Sequence, residues 1–472
     1  MKVIIIGAVA GGTSTAAKLS RLRKDAEITI YEALGYISYS SCNMPYYIGD
    51  VVEDEDSLIP RDPHYFAKHY GVTVKIHHRV ESVDPEKKTV TVRNLDTDET
   101  FEDTYDKLLF ATGARSNFPP IEGLDQDHVY SLRVVEDMKT LKEKLSCCHP
   151  TPGTAIVIGS GFIGLEMVEN FRRLGYHVKL LVMSSVSNLS PEMSVYMIEH
   201  MKRYGVEIVE NAAAKKITKE GVETTDGRFV EGDFVFVATG AKPNTEIAAS
   251  IGIRLGDSGA IVTNAFGETN VEDIYAAGDC AQTISVVDQS PVYIPLGSTA
   301  NKMGRTVADA MAGICRPFPG IAGTSIFKLF DMEVGSTGLS EKRAKDLGYE
   351  TLVFSHANRS HYQSHGGEPI LVKAVVDRRS LRLLGVELIG FSGVKARLDT
   401  YATYITFGGT LDKLENLDLA YAPPFATVRD VVLYTGMVGM SRYEKEEWEM
   451  DKNPNSSFLE HVKTRTLKEE MA

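Results

Sequence analysis

The chain has 472 residues, enough for two to four domains that each bury a core. Its composition, with 43% hydrophobic and 24% charged residues, is typical of a globular protein, and its net charge of −13 disfavours nucleic acid or an anionic membrane as a partner. No apolar run approaches the roughly 18 residues of a spanning helix, and no signal peptide precedes the first predicted strand, so we expect a cytoplasmic protein.

The first predicted element is an apolar strand at residues 3–6, followed by the loop Gly-Ala-Val-Ala-Gly-Gly at 7–12. The loop lacks the middle glycine of the usual dinucleotide fingerprint. A second strand, residues 27–31, ends at Glu32, which lies 25 positions after Gly7. This spacing indicates a βαβ unit in which Glu32 binds the ribose of an adenosine. The alternative is a solvent-facing acid at the end of the strand.

A lone cysteine follows this unit, in the run Tyr-Ser-Ser-Cys-Asn-Met-Pro-Tyr-Tyr at 39–47. No second cysteine lies within a few residues of Cys42, so a local dithiol is excluded. If Cys42 is catalytic, it therefore acts as a single thiol through a mixed disulfide, a persulfide or a sulfenic acid. The alternative is a buried structural cysteine. The five cysteines, at 42, 147, 148, 280 and 315, show no metal-binding spacing, so no metal site is predicted.

The strand and glycine turn recur 152 residues later, where an apolar strand at 155–158 meets Gly-Ser-Gly-Phe-Ile-Gly at 159–164. A later Ala-Thr-Gly is duplicated as well, at 111–113 and 238–240. Two dinucleotide units in one chain predict a flavin and a nicotinamide. The second strand of the second unit ends at Val182 or Met183, followed by Ser184 and Ser185, without an acid. The sequence therefore predicts no preference between NADH and NADPH.

The fold class predicted from this layout is α/β, with two Rossmann-like domains followed by an α+β domain. The chain returns to the first domain through a strand near 274–277, after which Asp279 either binds a ribityl hydroxyl or is only a turn residue. Strands near 324–330 and 370–376 and a helix from Val394 indicate the third domain. The predicted divisions are 1–112 and 242–323 (first domain), 113–149 (connecting segment), 150–241 (second domain), 324–440 (third domain) and 441–472 (a charged tail, read as a surface helix or a disordered extension).

Together these residues resemble the FAD- and NAD(P)-dependent disulfide oxidoreductases over about residues 1–440. The resemblance rests on the motifs at 41–47, 111–113, 278–279, 295–301 and 419–425. It is strongest to the single-cysteine branch of CoA-disulfide, CoA-persulfide and polysulfide reductases, NADH oxidases and NADH peroxidases. Oxidases and peroxidases usually carry a histidine where this chain has Ala10, and Cys-x-x-Pro-Tyr-Tyr is typical of the CoA-disulfide and persulfide reductases.

The resemblance implies a homodimer that uses FAD, NADH or NADPH, and CoA as substrate or mixed-disulfide ligand. It implies that the third domain dimerises and that Tyr421 and Tyr362 donate protons to the leaving thiolate across the interface; otherwise they are core or interface tyrosines. The implied cofactor-binding residues are Gly7, Ala10, Gly11, Gly12, Glu32, Ser41, Ala111, Thr112, Gly113, Gly159, Gly161, Ile163, Gly164, Glu166, Gly240, Gly278, Asp279 and Ala300. The implied CoA-binding residues, otherwise solvated polar groups, are Lys18, Arg21, Ser38, Asn43 and Arg61.

The function that the resemblance implies is the NAD(P)H-dependent reduction of CoA disulfide or CoA persulfide through FAD and Cys42. Two alternatives stay open. One is an oxidase that reduces O₂ at the flavin or through a Cys42 sulfenate, although Ala10 argues against the sulfenate. The other is a flavin-bearing redox sensor or binding protein.

Overall fold

The structure is a computed structural model that describes residues 1–147, 152–183, 186–187, 189–445 and 454–467. The chain up to residue 147 forms β1 (Lys2–Ile6), α1 (Ala10–Leu22), β2 (Glu27–Tyr31), α2 (Met44–Ile48), α3 (Pro63–Tyr70), β3 (Thr73–Lys75), β4 (His78–Asp84), β5 (Thr89–Asn94), β6 (Thr100–Thr104), β7 (Lys107–Phe110), β8 (Ala114–Ser116), β9 (Val129–Tyr130) and α4 (Val135–Cys147).

Residues 154–311 form β10 (Thr154–Ile158), α5 (Phe162–Arg173), β11 (His177–Val182), α6 (Pro191–Arg203), β12 (Val206–Glu210), β13 (Ala214–Thr218), β14 (Gly221–Thr224), β15 (Phe229–Glu231), β16 (Phe234–Val237), β17 (Ala241–Pro243), α7 (Glu246–Ser250), β18 (Ile274–Ala276), β19 (Thr283–Ile284), β20 (Pro291–Val292) and α8 (Gly297–Met311).

The remaining elements are β21 (Ser325–Leu329), β22 (Met332–Gly338), α9 (Glu341–Asp346), β23 (Thr351–Arg359), β24 (Pro369–Asp377), β25 (Leu383–Gly390), α10 (Val394–Thr406), α11 (Leu411–Leu414), α12 (Val431–Glu444) and α13 (Pro454–Thr464). In the part of the chain that the structure describes, no helix is both long enough and apolar enough to cross a membrane.

The first domain is a parallel sheet in the order β18-β7-β1-β2-β3. Its central strand is an unbroken apolar run because a parallel sheet is covered on both faces, and Val3, Ile4 and Ile5 are fully buried. Strand β18, from the later part of the chain, pairs with β7 at the edge of this sheet. Helix α1 packs on α8, where the hydroxyl of Thr15 donates to the carbonyl of Gly304 at 2.9 Å.

The second domain repeats this architecture with a parallel sheet in the order β12-β11-β10-β16-β9. Phe171 of α5 packs edge-on against Phe234 and Phe236 of β16 in its core. Strand β9 and helix α4 come from residues 113–149, the expected connecting segment, and β9 extends the sheet through its pairing with β16. The two parallel sheets confirm the predicted α/β class.

The third domain begins with β21 and is built on an antiparallel sheet in the order β21-β22-β25-β24-β23. Helix α10 packs on β22 and β25, and α12 packs on β23. The strands expected near 324–330 and 370–376 correspond to β21 and β24, and the helix expected from Val394 is α10.

The described part of the charged tail forms helix α13, which packs on α6 of the second domain and on β23 and β24 of the third. Its apolar side is buried: Phe458 is 1% exposed and Val462 is 0% exposed. The Phe458 ring meets that of Tyr196 on α6 edge-on, with 5.2 Å between ring centroids. Just beyond the helix, Arg465 pairs with Asp331 and Glu368 of the third domain. This segment is thus neither a disordered extension nor a helix merely resting on the surface, whereas residues 446–453 and 468–472 lie outside the described part.

Candidate active site

The first glycine loop turns the chain from β1 into α1 at a point where no side chain fits. Gly7 has φ +105°, and a Cβ there would lie 2.2 Å from the carbonyl oxygen of Ala111. A Cβ on Gly12 would lie 2.0 Å from the carbonyl oxygen of Gly7. Helix α1 starts at Ala10 without a side-chain cap, so its first N–H groups are available to an anion. The loop has the backbone of a dinucleotide site although its middle glycine is missing.

The second glycine loop reproduces this geometry. Gly159 has φ +107°, and a Cβ there would lie 2.4 Å from the carbonyl oxygen of Ala238. A Cβ on Gly164 would lie 2.1 Å from the carbonyl oxygen of Gly159. Gly161 precedes α5 without a side-chain cap and has open space where a Cβ would be. The duplication seen in the sequence is therefore a duplication of one glycine turn, with the same close backbone approaches in both copies.

Glu32 lies against the first loop at the end of β2. Its Oε2 accepts the N–H of Ala8 at 2.8 Å and its Oε1 accepts the N–H of Leu34 at 3.0 Å. Burial raises the pKa of its carboxyl group, although both backbone donors favour the charged form. Gly278 also lies close to the first loop. A Cβ on Gly278 would lie 3.8 Å from Cα of Gly11 and 3.5 Å from Cβ of Ala300.

Further residues of the expected cofactor set lie around this loop. The Ala-Thr-Gly at 111–113 follows β7, and the hydroxyl of Thr112 donates to the carbonyl of Asn244 at 2.6 Å. Gly113 turns the chain with φ +65°. In the second domain, Gly240 follows β16 with φ +111° and open space around it.

Asp279 follows β18 and forms an ion pair with Arg133. Arg133 also donates from Nε to the carbonyl of Ala114 at 3.0 Å, so its position is fixed by two partners. Arg133 was not among the predicted site residues, because it lies in the segment 113–149 and belongs to no motif. The only available signal was the acid itself: a carboxylate at the end of a buried strand needs a cationic or hydrogen-bonding partner.

Cys42 lies in a short 3-10 helix, Ser41–Asn43, immediately before α2. It is a free, exposed cysteine. Nevertheless desolvation raises the pKa of its thiol, and the carboxylate of Glu166 raises it further, whereas the Ser41 hydroxyl and Arg133 lower it. Helix α2 packs on α5, the helix that carries the second glycine loop. Asp279 of the first domain also raises the pKa of the thiol, so charged groups of both dinucleotide domains act on it.

Helix α5 carries two neighbouring carboxyl groups, Glu166, which acts on the thiol, and Glu169, which acts on Glu166. Burial raises the pKa of Glu166 to about 7, with a further contribution from Glu169. Burial likewise raises the pKa of Glu169 to about 7. Oε2 of Glu169 accepts the N–H of Phe330 at 2.8 Å, which ties α5 to the turn between β21 and β22. Glu169 was not among the predicted site residues.

The part of the second domain where a coenzyme ribose is expected carries no described acid at the strand end. Strand β11 ends at Val182, and Met183 beyond it is 70% exposed. Ser184 and Ser185 lie outside the described residues. Ile163, in the first turn of α5, is 37% exposed. Among the described residues, this strand end therefore offers no carboxylate to a coenzyme ribose.

Tyr362 and Tyr421 lie together in the third domain although 59 positions separate them. Their ring centroids are 6.5 Å apart at an interplanar angle of 62°. Tyr362 is 38% exposed and Tyr421 is 49% exposed. A hydrogen bond with Tyr362 raises the pKa of Tyr421. The structure thus brings the two tyrosines into one pair at the surface of the chain.

The predicted CoA-binding residues divide into two groups. Arg21 and Arg61 are exposed and lie over the rings of Tyr70 and Tyr65, at 5.7 and 5.3 Å from the ring centroids, so both border helix α3. Lys18 instead forms an ion pair with the buried Asp309 at 2.5 Å.

Ser38 and Asn43 lie in the segment of the chain that carries Cys42. Ser38 has φ +51° and its N–H donates to the carbonyl of Ala8 at 2.9 Å, so it borders the first glycine loop. Asn43 is exposed at the end of the 3-10 helix that holds Cys42.

Comparison with protein families finds two matches. A family model described as pyridine nucleotide-disulphide oxidoreductase matches residues 1–304, and one described as the dimerisation domain of these oxidoreductases matches residues 324–431. A CoA-dependent NAD(P)H sulfur oxidoreductase from Pyrococcus furiosus is 35% identical over 446 residues, which cover 93% of this chain and 98% of the relative. A coenzyme A disulfide reductase from Staphylococcus epidermidis is 29% identical over 438 residues, covering 92% and 99%.

Solved structures resemble this chain at similar coverage. Reduced CoADR-RHD from Bacillus anthracis has a TM-score of 0.92 at 34% identity, covering 94% of this chain and 80% of that one. A NAD-dependent persulfide reductase from A. fulgidus has a TM-score of 0.91 at 34% identity, covering 94% and 84%. A water-forming NADH oxidase from Lactobacillus brevis has a TM-score of 0.90 at 26% identity, covering 94% and 99%.

Proposed function

The chain belongs to the pyridine nucleotide-disulphide oxidoreductase family, whose enzymes use FAD and NAD(P)H, and from that premise we propose that it reduces CoA disulfide or CoA persulfide. The names of the relatives support this substrate class: they include both CoA-dependent sulfur oxidoreductases and CoA disulfide reductases. The position of Cys42 carries the proposal: helix α2, which directly follows this single thiol, packs on α5, the helix that follows the second glycine loop, and a lone thiol suits mixed-disulfide chemistry.

The proposed reaction balances with one NAD(P)H. The thiolate of Cys42 attacks one sulfur of CoA disulfide, the S–S bond breaks, and one CoA leaves as a thiolate that takes up a proton. The electron pair of NAD(P)H then cleaves the Cys42–CoA mixed disulfide and releases the second CoA. NAD(P)H, one proton and CoA disulfide thus give NAD(P)⁺ and two CoA thiols. With CoA persulfide the products are NAD(P)⁺, CoA and hydrogen sulfide.

The first domain fits FAD. Its glycine loop leaves no room for a Cβ at Gly7 or Gly12, the uncapped start of α1 offers N–H groups to a pyrophosphate, and Glu32 is held where a ribose would bind. We propose that Asp279, oriented by Arg133, binds the ribityl chain. FAD in this site would relay the electron pair of NAD(P)H to the Cys42 disulfide.

The residues around Cys42 decide when it is a nucleophile. The thiolate is the reactive form, and burial together with Glu166 opposes it. Glu166 has a pKa of about 7, so its protonation near neutral pH would remove a negative charge from the neighbourhood of the thiol. We propose that protonation of Glu166 favours the thiolate form of Cys42.

The tyrosine pair supplies the proposed proton donor. A phenol hydroxyl stays protonated at neutral pH, and the raised pKa of Tyr421 keeps it so. We propose that the third domain forms a homodimer and that Tyr421, supported by Tyr362, donates to the departing CoA thiolate at the partner's Cys42.

Arg21 and Arg61 are the proposed ligands of the CoA phosphates, because both are exposed beside the aromatic rings of α3. Lys18 instead forms an ion pair with Asp309.

An anaerobic turnover assay tests the proposal. The purified protein is expected to be yellow, and to oxidise NAD(P)H without oxygen only when CoA disulfide is added, with two thiols formed per NAD(P)H. Consumption that requires oxygen and ignores CoA disulfide would identify an oxidase. A protein that binds FAD but turns over with neither substrate would be a flavin-bearing sensor, and one that cannot be loaded with FAD would refute the proposal outright.

A further inference from the structure

The two tyrosines of the pair are carried by two separate loops of the third domain. Tyr362 lies between β23 and β24, and Tyr421 lies in the connection from α11 to α12. Two hydrogen bonds join the segments directly: the N–H of Tyr362 donates to the carbonyl of Pro423 at 3.5 Å, and Nδ2 of Asn358, near the end of β23, donates to the carbonyl of Arg429 at 2.7 Å. The first is long and the second lies eight positions from Tyr421 along the chain. A third contact lies closer to both tyrosines.

A single buried guanidinium joins both loops. Arg397 of α10 is 8% exposed, and its Nη2 donates to the carbonyl of Ser360 at 2.6 Å and to that of Phe425 at 3.2 Å. Ser360 lies two positions before Tyr362, and Phe425 lies four positions after Tyr421. Arg397 thus contacts the backbone of each tyrosine loop close to the tyrosine.

The charge of Arg397 is neutralised by the residue at the end of the second loop. Nη2 and Nε of Arg397 donate to Oδ2 of Asp430 at 2.7 and 3.1 Å. Asp430 in turn caps α12, since its Oδ1 accepts the N–H of Val432 at 3.0 Å. The guanidinium therefore fixes where the second loop ends as well as where it passes Phe425.

The site has room for the guanidinium because of Gly393. This residue has φ +75°, and a Cβ there would lie 2.5 Å from Nη1 of Arg397. The fork geometry of a guanidinium is needed to bind a carboxylate and two carbonyls together, and neither lysine nor an apolar side chain reproduces it. Without it, Asp430 and two backbone carbonyls would lose a buried partner.

We propose that Arg397 is a positioning residue for the reaction, which holds the loops of Tyr362 and Tyr421 at the separation that lets the tyrosines act as one proton-donating pair. The inference rests on the proposed function, because it assumes that the pair serves the leaving thiolate. It extends that function to Arg397, whose side chain is buried.

The variant Arg397→Met tests the proposal in turnover. We expect the kcat for CoA disulfide to fall about tenfold while the rate of flavin reduction by NAD(P)H stays unchanged, since that step does not involve the tyrosines. In a Tyr421→Phe background, Arg397→Met should cause no further loss, because a residue acting through Tyr421 has nothing left to position. Multiplicative losses would overturn the proposal.

A second readout needs no CoA. In enzyme labelled with 3-fluorotyrosine, the ¹⁹F resonance that disappears in Tyr421→Phe belongs to Tyr421. We expect this resonance to shift and its titration to move towards that of free fluorotyrosine in Arg397→Met. An unchanged resonance with only a lower melting temperature would show a purely structural role. If the native enzyme lacks CoA disulfide activity, the proposed function fails while this measurement still decides the role of Arg397.

Two further variants keep the test decisive. Arg379→Met removes an exposed arginine of the same domain, which pairs only with Glu350 among the described contacts, and should leave kcat and the Tyr421 resonance as in the native enzyme. If Arg397→Met does not fold, Asp430→Asn replaces it: asparagine still caps α12, yet it removes the charge that orients the guanidinium. Asp430→Asn should then shift the Tyr421 resonance, and a native spectrum would overturn the proposal.

Discussion

Replacing the sulfur of Cys42 by oxygen separates the two halves of the proposed reaction. In Cys42→Ser we expect CoA disulfide reduction to fall by about three orders of magnitude or more, because no hydroxyl forms the mixed disulfide. Flavin reduction by NAD(P)H, followed anaerobically in a stopped-flow instrument, should stay close to native. Cys315→Ser, which alters another exposed thiol, serves as the control and should keep full activity. Substantial CoA disulfide turnover in Cys42→Ser would make Cys42 a structural residue.

His356 predicts a pH dependence of stability in the third domain. It is buried with Nε2 at 2.7 Å from the Thr435 hydroxyl, and burial lowers its pKa to about 3. The unfolded chain binds a proton at its ordinary pKa of about 6.5, so stability is complete above that pH and is lost as the pH falls towards 3. Between pH 7 and pH 5 the loss from this residue is about 2 kcal/mol.

The variant His356→Gln keeps a hydrogen-bonding group without titrating. Urea unfolding at pH 7 and pH 5, at one protein concentration, should therefore show a smaller decrease in the free energy of unfolding than in the native protein. His64→Gln, which changes an exposed histidine, should retain the native decrease. Equal decreases in all three proteins would mean that His356 is protonated in the folded state.

For individual residues, the position of a side chain could be predicted where its partners are near in the sequence, and could not be predicted where they are distant. The place of Glu32 beside the first glycine loop was predictable, because its spacing from that loop follows from a single βαβ unit. Arg133 was missed because its partner Asp279 is 146 positions away, and nothing in the intervening sequence brings the two together. The engagement of Lys18 by Asp309 on α8 has the same origin, since the packing of α1 on α8 decides it.

Among the helices and strands, α13 allows a test of how much one buried side chain contributes to stability. Its Phe458 is 1% exposed and packs against Tyr196 of α6. Phe458→Ala should lower the free energy of unfolding by about 3 to 5 kcal/mol, because it removes a buried aromatic ring and leaves a cavity. Lys463→Ala, on the exposed side of the same helix, is the matched control and should change stability by less than about 0.5 kcal/mol. Thermal and urea unfolding of both variants measure the difference.

The many charged residues of the tail made the packing of this helix difficult to predict from the sequence. Acidic and basic residues at 444–447 suggested a solvated segment, while the apolar pair Phe458 and Val462 has the i, i+4 spacing of a buried helix face. The spacing alone did not show what would cover that face, because the covering surface belongs to α6 and to strands of another domain. The glycine turns are easier to predict, because the positive φ of Gly7 and of Gly159 favours glycine whatever packs against the turn.

For the whole molecule, subunit mixing tests whether the tyrosine pair acts in trans. When Cys42→Ser and Tyr421→Phe chains exchange in equal amounts, half of the dimers are mixed, and each mixed dimer has one site with native Cys42 and native Tyr421. We expect about a quarter of native CoA disulfide activity, above that of either parent. Mixing Tyr421→Phe with a Cys42→Ser/Tyr421→Phe double variant supplies no native Tyr421 and should recover nothing. No recovery after verified exchange would place both groups of a site in one chain.

The late return of the chain to the first sheet also orders events during synthesis. The last strand of the second domain's parallel sheet, β16, ends at residue 237, whereas β1 and α1 must wait for β18 and α8. Gly11 lies against the carbonyl of Ala277, and the hydroxyl of Thr15 against Gly304. A ribosome adds about 5 to 20 residues per second, so these partners emerge roughly 15 to 60 s after α1. The domain that begins the chain is therefore expected to finish folding after the domain inserted into it. We expect the nascent protein to bind FAD, and so to become yellow, only after α8 has been synthesised.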